Sequence, residues 1–194
     1  MSEWKLDTLV KNNRSYRRFK EDHAAPRETL RELVNLARLS ASGANLQPLK
    51  YILVDDHQQK KQVFPTLGWA GYLQDWSGPG EGERPGAYII LLLDTEISAN
   101  APYDAGIASQ SILLGAVERG LGGCILASVR RTELRQIFNI PDQFEILLVL
   151  AVGEPAEIVQ IDPLGKAQDI RYWRDPEGVH HVPKRSLEEI ILDI

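Results

Sequence analysis

A basic segment near the start of the chain carries the residues best suited to bind an anion. Residues 14–19 read RSYRRF, which places three guanidinium groups and a hydroxyl within two helical turns of chain, with no carboxylate between them. Arginine presents a planar fork of donors that matches phosphate oxygens, and each such hydrogen bond contributes about 1.5–3 kcal/mol. The segment therefore indicates phosphate binding, with a solvated basic surface as the alternative.

Three further segments have compositions that suit ligand binding. They are residues 41–48 (ASGANLQP), residues 120–128 (GLGGCILAS) and residues 184–190 (KRSLEEI). The first offers amide donors and acceptors at Asn45 and Gln47, and an Asx-turn is the alternative role for Asn45. The second contains small residues that permit close backbone approach, or is a helix stop followed by a core strand.

The third of these segments has the spacing of a helix capping box, with Ser186 three residues before Glu189. An anion near Lys184 and Arg185 would then also meet the positive end of a helix dipole. The alternative is a frayed basic tail.

The elements that must position these segments follow from hydrophobic periodicity. The pattern predicts helices over 3–12, 27–39, 57–67, 104–119 and 132–138, and strands over 51–54, 87–93, 124–127 and 144–153. The apolar runs 87–93 and 144–153 indicate strands covered on both faces. The Gly- and Pro-rich residues 78–86 predict a loop. We expect one α+β domain of three layers.

Bulk properties exclude several classes of protein. The chain has 194 residues, 43% of them hydrophobic, a net charge of −5 and one cysteine, Cys124. This balance argues against a nucleic-acid partner, a disulfide framework and a structural metal. The apolar runs, residues 88–93 among them, are far shorter than the roughly 20 residues that span a bilayer. We expect a soluble cytoplasmic protein without a membrane partner.

The familiar catalytic motifs are missing from the sequence. The glycines at 120–123 lack the third glycine of a dinucleotide fingerprint, and no Walker loop, nucleophile elbow or His-Glu-x-x-His pair occurs. His23, His57, His180 and His181 lie in polar segments and are expected at the solvated surface. Cys124 lies in an apolar strand, where a thiol is usually inert. A bound cofactor is therefore expected to carry out any reaction.

Taken in order, the four segments resemble those of the flavin-dependent nitroreductase family, and the resemblance covers nearly the whole chain. The family's Arg-Arg-Ser-x-Arg-x-Phe is matched by residues 13–19, with Asn13 in place of the first Arg. Its Pro-Ser-x-x-Asn-x-Gln-Pro is matched by residues 41–48, with Ala41 in place of the Pro. Its terminal Arg-Lys-Pro-Leu-Glu-Glu-Ile is similar to residues 184–190. The resemblance implies a three-layer α/β/α sandwich with a mostly antiparallel central sheet, formed by residues 1–194 as one FMN-binding domain.

The resemblance also implies an FMN site drawn from all four segments. Its expected members are Arg14, Ser15, Arg17, Ala41, Ser42, Asn45, Gln47, Leu126, Ala127, Ser128, Lys184 and Arg185. The basic residues would hold the phosphate, Ser15 would contact the pyrimidine side or ribityl chain, and residues 126–128 would place backbone amides near flavin N5 and O4. The loss of an Arg at position 13 implies a weaker contact, or one that Arg14 takes over. No catalytic side chain is expected, because flavin N5 carries the chemistry.

The activity implied is hydride transfer from NAD(P)H to flavin N5, then to a nitroaromatic, quinone or similar small planar acceptor by a ping-pong mechanism. The alternatives are a flavin-binding redox sensor or storage module without turnover, reductive dehalogenation, and fragmentation of the flavin. Residues 69–85 are expected to cover the substrate. Trp69, Tyr72 and Trp76 in that segment would either stack on a planar acceptor or pack the loop.

The resemblance further implies a homodimer with FMN at the subunit interface. Helix 104–119 is apolar on most sides, as expected of a helix that contacts both a sheet and a partner subunit. Residues 155–194 are expected to form an exchanged arm that wraps around the partner. Four prolines in residues 155–183 predict that most of this arm is irregular.

Overall fold

The computed structural model describes residues 5–165 and 169–193. Its helices are α1 (Leu6–Asn12), α2 (Arg27–Leu39), α3 (His57–Val63), α4 (Pro102–Glu118), α5 (Arg131–Phe138) and α6 (Leu187–Ile190). Its strands are β1 (Leu49–Val54), β2 (Ala87–Asp94), β3 (Gly122–Leu126), β4 (Phe144–Gly153), β5 (Val159–Pro163), β6 (Trp173–Arg174) and β7 (His180–Lys184). None of the helices in these ranges is long and apolar enough to cross a membrane.

The central sheet has the strand order β1-β2-β4-β3, and all its pairings are antiparallel. All eight residues of β2 are buried. Such complete burial requires cover on both faces of the sheet, as the continuous apolar run predicted.

Alternate residues of β2 enter two different hydrophobic cores. Ile89 and Leu91 pack in the core that includes Leu33 of α2 and Ile112 of α4. Tyr88, Ile90 and Leu92 pack in the core that includes Val63 of α3 and Leu134 of α5. The domain is therefore an α+β fold with helices on both faces of an antiparallel sheet, as predicted.

The predicted element bounds differ from the observed ones by a few residues. The predicted helix 57–67 ends at Val63 and continues as a 3₁₀ turn over Phe64–Thr66, where Pro65 removes a backbone donor. The helix predicted over 3–12 begins at Leu6, and residues 3 and 4 lie outside the described residues. The capping box predicted at Ser186 and Glu189 is present at the start of α6.

The prediction that residues 155–183 are irregular is wrong in part, because the C-terminal arm contains a three-stranded sheet of order β5-β7-β6. Proline is tolerated here because of where it lies: Pro163 ends β5, and Pro183 stands opposite Asp162. Among the described residues, β6 pairs with His180 and His181 alone, so the side of β7 facing away from β5 is unpaired at Pro183.

Candidate functional site

The basic segment 14–19 runs alongside the edge of the central sheet. Ser15 forms a parallel bridge with Gly123 of β3, and the Tyr16 amide donates to the Gly123 carbonyl at 3.0 Å. A Cβ on Gly122 would overlap the ring of Tyr16. The glycine pair therefore lets the basic segment approach the strand that leads into residues 126–128.

Arg14 and Arg17 are half-buried on this segment, and each keeps a buried Nε with no hydrogen-bond partner among the described residues. The Nη2 of Arg14 donates to the Val10 carbonyl at 2.9 Å, and the Nη1 of Arg17 donates to the Ser15 carbonyl at 3.2 Å. Buried donors without partners are costly. Further acceptor atoms would be favourable here, as expected of an anion-binding segment.

The family motif has an arginine at position 13 that is expected to contact the flavin or its phosphate. Asn13 instead contacts another part of the protein. The Asn13 amide donates to Gln110 of α4 at 3.2 Å. This side chain joins the basic segment to the buried central helix.

Cys124 of β3 is buried, as predicted. Burial raises the pKa of its thiol, and Arg17 opposes that rise. A raised pKa disfavours the thiolate, so the site offers no activated cysteine nucleophile.

The polar turn at residues 42–47 is held by a carboxylate that sequence reasoning missed. Asp104 of α4 is buried and accepts hydrogen bonds from the Ser42 hydroxyl and, at 3.0 Å, from the Gly43 amide. Ser42 Oγ in turn accepts from the Gln47 amide at 2.9 Å. The sequence signal was an acidic residue in the first turn of an apolar helix, which looked like an ordinary helix-start preference.

This turn adopts a backbone conformation that most residues avoid. Ala44, Asn45 and Gln47 have φ values of 49°, 56° and 54°, all in the left-handed region. Such conformations persist where surrounding contacts enforce them, and they cluster at functional sites. A pocket of about 170 Å³ opens beside the turn and is lined by Ala41, Ser42, Gln47 and Asp104, among others.

Residues 126–128 continue from β3 towards a second loop. Leu126 is buried, whereas Ala127 and Ser128 are exposed. The Ser128 carbonyl accepts from the Gly68 amide at 2.8 Å, and a Cβ on Gly68 would overlap the Ser128 side chain. The small residues at this position therefore permit close approach of another loop of the same chain, at Gly68.

Lys184 and Arg185 lie exposed at the end of β7, just before α6. Lys184 accepts through its carbonyl from the Leu164 amide at 2.8 Å, and Arg185 pairs with Glu189 at 3.3 Å. That either residue joins Arg14 and Arg17 at one phosphate stays a prediction.

The expectation that His180 lies at the solvated surface is wrong, because its exposed fraction is 0%. It packs against the Tyr172 ring, with 5.2 Å between ring centroids, and its Nε2 lies 3.2 Å from Nη1 of Arg17. Burial first, and then Arg17 and Arg174, lower the pKa of His180 to about 4. Sequence reasoning also missed Glu157, whose buried carboxylate binds Arg174 at 2.8 Å.

Each of the three aromatic residues in the expected substrate cover packs against another side chain of the same chain. The Trp69 ring lies 5.9 Å from Phe64, and the Tyr72 ring 4.9 Å from Tyr172. The guanidinium of Arg174 lies 4.3 Å above Trp76. Tyr72 remains about half exposed, so packing and acceptor contact are both available to it.

Comparison with known proteins decides the family. The sequence profile of the nitroreductase family matches residues 10–71 and 86–154, which include both the basic segment and the turn at 42–47. The chain belongs to the nitroreductase family. The predicted resemblance is confirmed, and the matched residues stop at the start of the C-terminal arm.

Individual nitroreductase-family relatives are similar at modest identity. The chain is 26% identical over 167 residues to FMN reductase (NADPH) of Bacillus subtilis strain 168, covering 79% of this chain and 66% of that protein. It is 25% identical over 167 residues to iodotyrosine deiodinase of Thermotoga neapolitana, covering 77% of this chain and 88% of that protein.

Solved structures support the nitroreductase fold. A nitroreductase family protein from Streptococcus pneumoniae TIGR4 superposes with a TM-score of 0.69 at 17% identity, covering 98% of this chain and 100% of that one. The NADPH:FMN oxidoreductase of Vibrio harveyi, solved with NAD+, superposes with a TM-score of 0.64 at 19% identity, covering 82% and 73%.

Proposed function

We propose that the chain is an FMN-dependent oxidoreductase that takes electrons from NAD(P)H and passes them to a small planar acceptor, working as a homodimer. The names of its relatives, an FMN reductase (NADPH) and an NADPH-flavin oxidoreductase among them, support FMN as cofactor and NAD(P)H as donor. Bound FMN would supply the hydride-accepting and hydride-donating chemistry.

The observation that carries this proposal is the environment of the basic segment. Arg14 and Arg17 present buried guanidinium nitrogens that lack partners among the described residues, on a backbone fixed to β3 by Ser15. These donors fit a phosphate or the electron-rich edge of a flavin. The chain's own contribution would be to bind and orient the cofactor and to place positive charge beside it.

The turn at 42–47 would supply the second half of the binding site. Its backbone is fixed by the buried Asp104, so Asn45 and Gln47 are presented on a rigid loop. Preorganised amide groups lose less conformational freedom when a ligand binds. They would thus orient a planar, hydrogen-bonding ring in one position.

Anaerobic stopped-flow mixing of the purified protein with NADH and NADPH tests the proposal. We expect rapid bleaching of the flavin band by at least one nucleotide, followed by recovery on addition of an acceptor. The acceptor panel should contain a nitroarene, a quinone and an iodinated phenol, because one relative is a deiodinase. A protein that holds FMN but is reduced by neither nucleotide would instead be a flavin-binding sensor or storage module.

A further inference from the structure

Four of the described residues of the C-terminal arm lie near the side chain or backbone of Arg17. They are Glu157, Tyr172, Arg174 and His180, and we call them the arm cluster. His180 is completely buried, and the Glu157 side chain is 2% exposed. Polar side chains are rarely buried this completely without a specific hydrogen-bond or charge partner. The arm cluster is therefore a built structure rather than a surface feature.

Arg17 is fixed at both its backbone and its side chain. Its amide donates to the Glu157 carboxylate, and its guanidinium lies 3.2 Å from His180 Nε2 and 4.7 Å above the Tyr172 ring. A free arginine side chain samples many rotamers and loses that freedom on binding a ligand. Contacts made before binding reduce this loss.

The carboxylate of the arm cluster binds the guanidinium of Arg174, so the guanidinium of Arg17 can bind an anion. Glu157 accepts from the amides of Arg17 and Arg18, the second at 3.1 Å, and from the Arg174 guanidinium at 2.8 Å. One carboxylate thus binds two backbone amides and the guanidinium of Arg174. The carboxylate orients Arg17 through its backbone without occupying its guanidinium.

His180 suits the role of a neutral acceptor for Arg17. Burial and the neighbouring Arg17 and Arg174 hold the pKa of its imidazole well below the ordinary value, so the ring is neutral at pH 7. Neutral imidazole has one acceptor and one donor nitrogen. With Nε2 accepting from Arg17, the proton is on Nδ1, which is buried and has no partner among the described residues.

We propose that His180 and Glu157 are positioning residues, which hold the Arg17 guanidinium in the orientation in which it binds flavin. The inference rests on the proposed function, since it assumes that Arg17 contacts FMN. It adds a role for residues that lie beyond the stretch matched by the family profile. The C-terminal arm would then act on the bound flavin through Arg17 of the same chain.

A double-mutant cycle between positions 17 and 180 tests the inference. FMN affinity is measured by fluorescence quenching for the wild type, His180→Leu, Arg17→Ala and the double variant. We expect His180→Leu to weaken FMN binding by about tenfold, in line with the loss of a hydrogen bond to a charged group. In the Arg17→Ala background the same change should alter affinity by less than roughly twofold.

Additive losses in the cycle would overturn the inference, because they would mean that His180 affects binding without Arg17. His180→Gln keeps an acceptor and should restore most of the lost affinity. Should His180→Leu fail to fold, Glu157→Gln takes its place in the cycle, and its loss of FMN affinity should likewise be small once Arg17 is already alanine. Wild-type protein that does not bind FMN would refute the proposed function itself, which is a different outcome from additivity.

His181 provides the matched control. It is the next residue of the same strand, and it binds Asp162 at 2.6 Å and Asp175 at 3.2 Å instead of Arg17. We expect His181→Leu to leave FMN affinity within roughly twofold of wild type. Equal losses from His181→Leu and His180→Leu would show that disturbing β7 is sufficient, and would contradict the specific role of His180.

Discussion

Arg17 is the residue expected to contribute most to the proposed binding of FMN. Its guanidinium lies on the segment beside β3, and its Nε is buried without a partner among the described residues. A surface arginine would instead be solvated and dispensable. Its environment therefore favours ligand binding over a solvated basic face.

Arg17→Ala should weaken FMN binding by about 1.5–3 kcal/mol, or roughly ten- to a hundredfold, because a charged hydrogen-bond donor is lost. Titration of apoprotein with FMN and with riboflavin measures the effect. If Arg17 binds the phosphate, riboflavin affinity should hardly change. Equal losses for both flavins would assign Arg17 to the ring or the fold, and unchanged affinity for both would indicate a solvated side chain.

Asp104 is the residue that holds the turn at 42–47 in its strained conformation. Asp104→Ala leaves the Ser42 hydroxyl and the Gly43 amide without their acceptor. We expect a loss of about 1–3 kcal/mol in the free energy of unfolding, measured by denaturant titration of the apoprotein. Asp7→Ala removes an exposed carboxylate paired with Lys11 and should cost less than about 1 kcal/mol. Similar losses for both variants would contradict a structural role of Asp104.

At the scale of elements, strand β7 places two adjacent histidines in opposite environments. His180 is buried beside Arg17 and Arg174, and its pKa is lowered to about 4 from an ordinary 6.5, with His181 contributing to the shift. Between these pH values the unfolded chain binds more protons at this position than the native protein does. His180 therefore reduces the free energy of unfolding as pH falls from about 6.5 to 4.

His181 should act in the opposite direction. Hydrogen bonds to Asp175 and Asp162 raise its pKa, so it stabilises the native state at low pH and loses that effect as pH rises through its folded pKa. We expect His180→Gln to lessen the loss of stability on acidification and His181→Gln to increase it. Denaturant unfolding at pH 7 and pH 5 measures both. Identical pH profiles for the two variants would contradict the assigned environments.

Periodicity predicted the elements of the central sheet because their apolar runs are long and local. Strand β2 and helix α4 are continuous patterns, and their bounds were placed within a few residues. The arm sheet escaped prediction because its strands are short and interrupted by proline. The burial of His180 depends on Arg17, which is 163 residues away, and no local pattern reports such a contact.

The sequence named the residues expected at the candidate site but not the residues that hold them in place. The motif positions named the polar turn, but Asp104 was missed because its partners Ser42 and Gly43 come from a distant segment. Residue types named the groups that are expected to bind a ligand, whereas the residues that contact and orient those groups were visible only in the fold.

At the scale of the whole molecule, one face of α4 lacks cover within the described chain. Tyr103 is 82% exposed, and Ile107 is 40% exposed on the same helix. Leu6 and Val10 of the adjoining α1 are also exposed. Exposed apolar side chains on two helices in contact with each other indicate an interaction surface. It supports the proposed homodimer, in which α4 would pack against its partner.

Ile107→Glu should convert the proposed dimer into monomers, because a carboxylate would be buried at the interface. Sedimentation velocity over a range of concentrations measures the change. Ile97→Glu is the matched control, since Ile97 is 39% exposed and lies outside the surface formed by α1 and α4. A wild-type protein that sediments as a monomer at all concentrations would refute the dimer.

Identification of the bound cofactor is the most direct test of the proposed FMN-dependent function. The protein is purified, its visible spectrum is recorded, and the flavin released on denaturation is identified by chromatography. We expect a yellow protein that releases FMN, because the basic residues can satisfy one phosphate and the sequence has no adenine-binding motif. Release of FAD, or a colourless protein whose apo form does not quench FMN fluorescence, would contradict it.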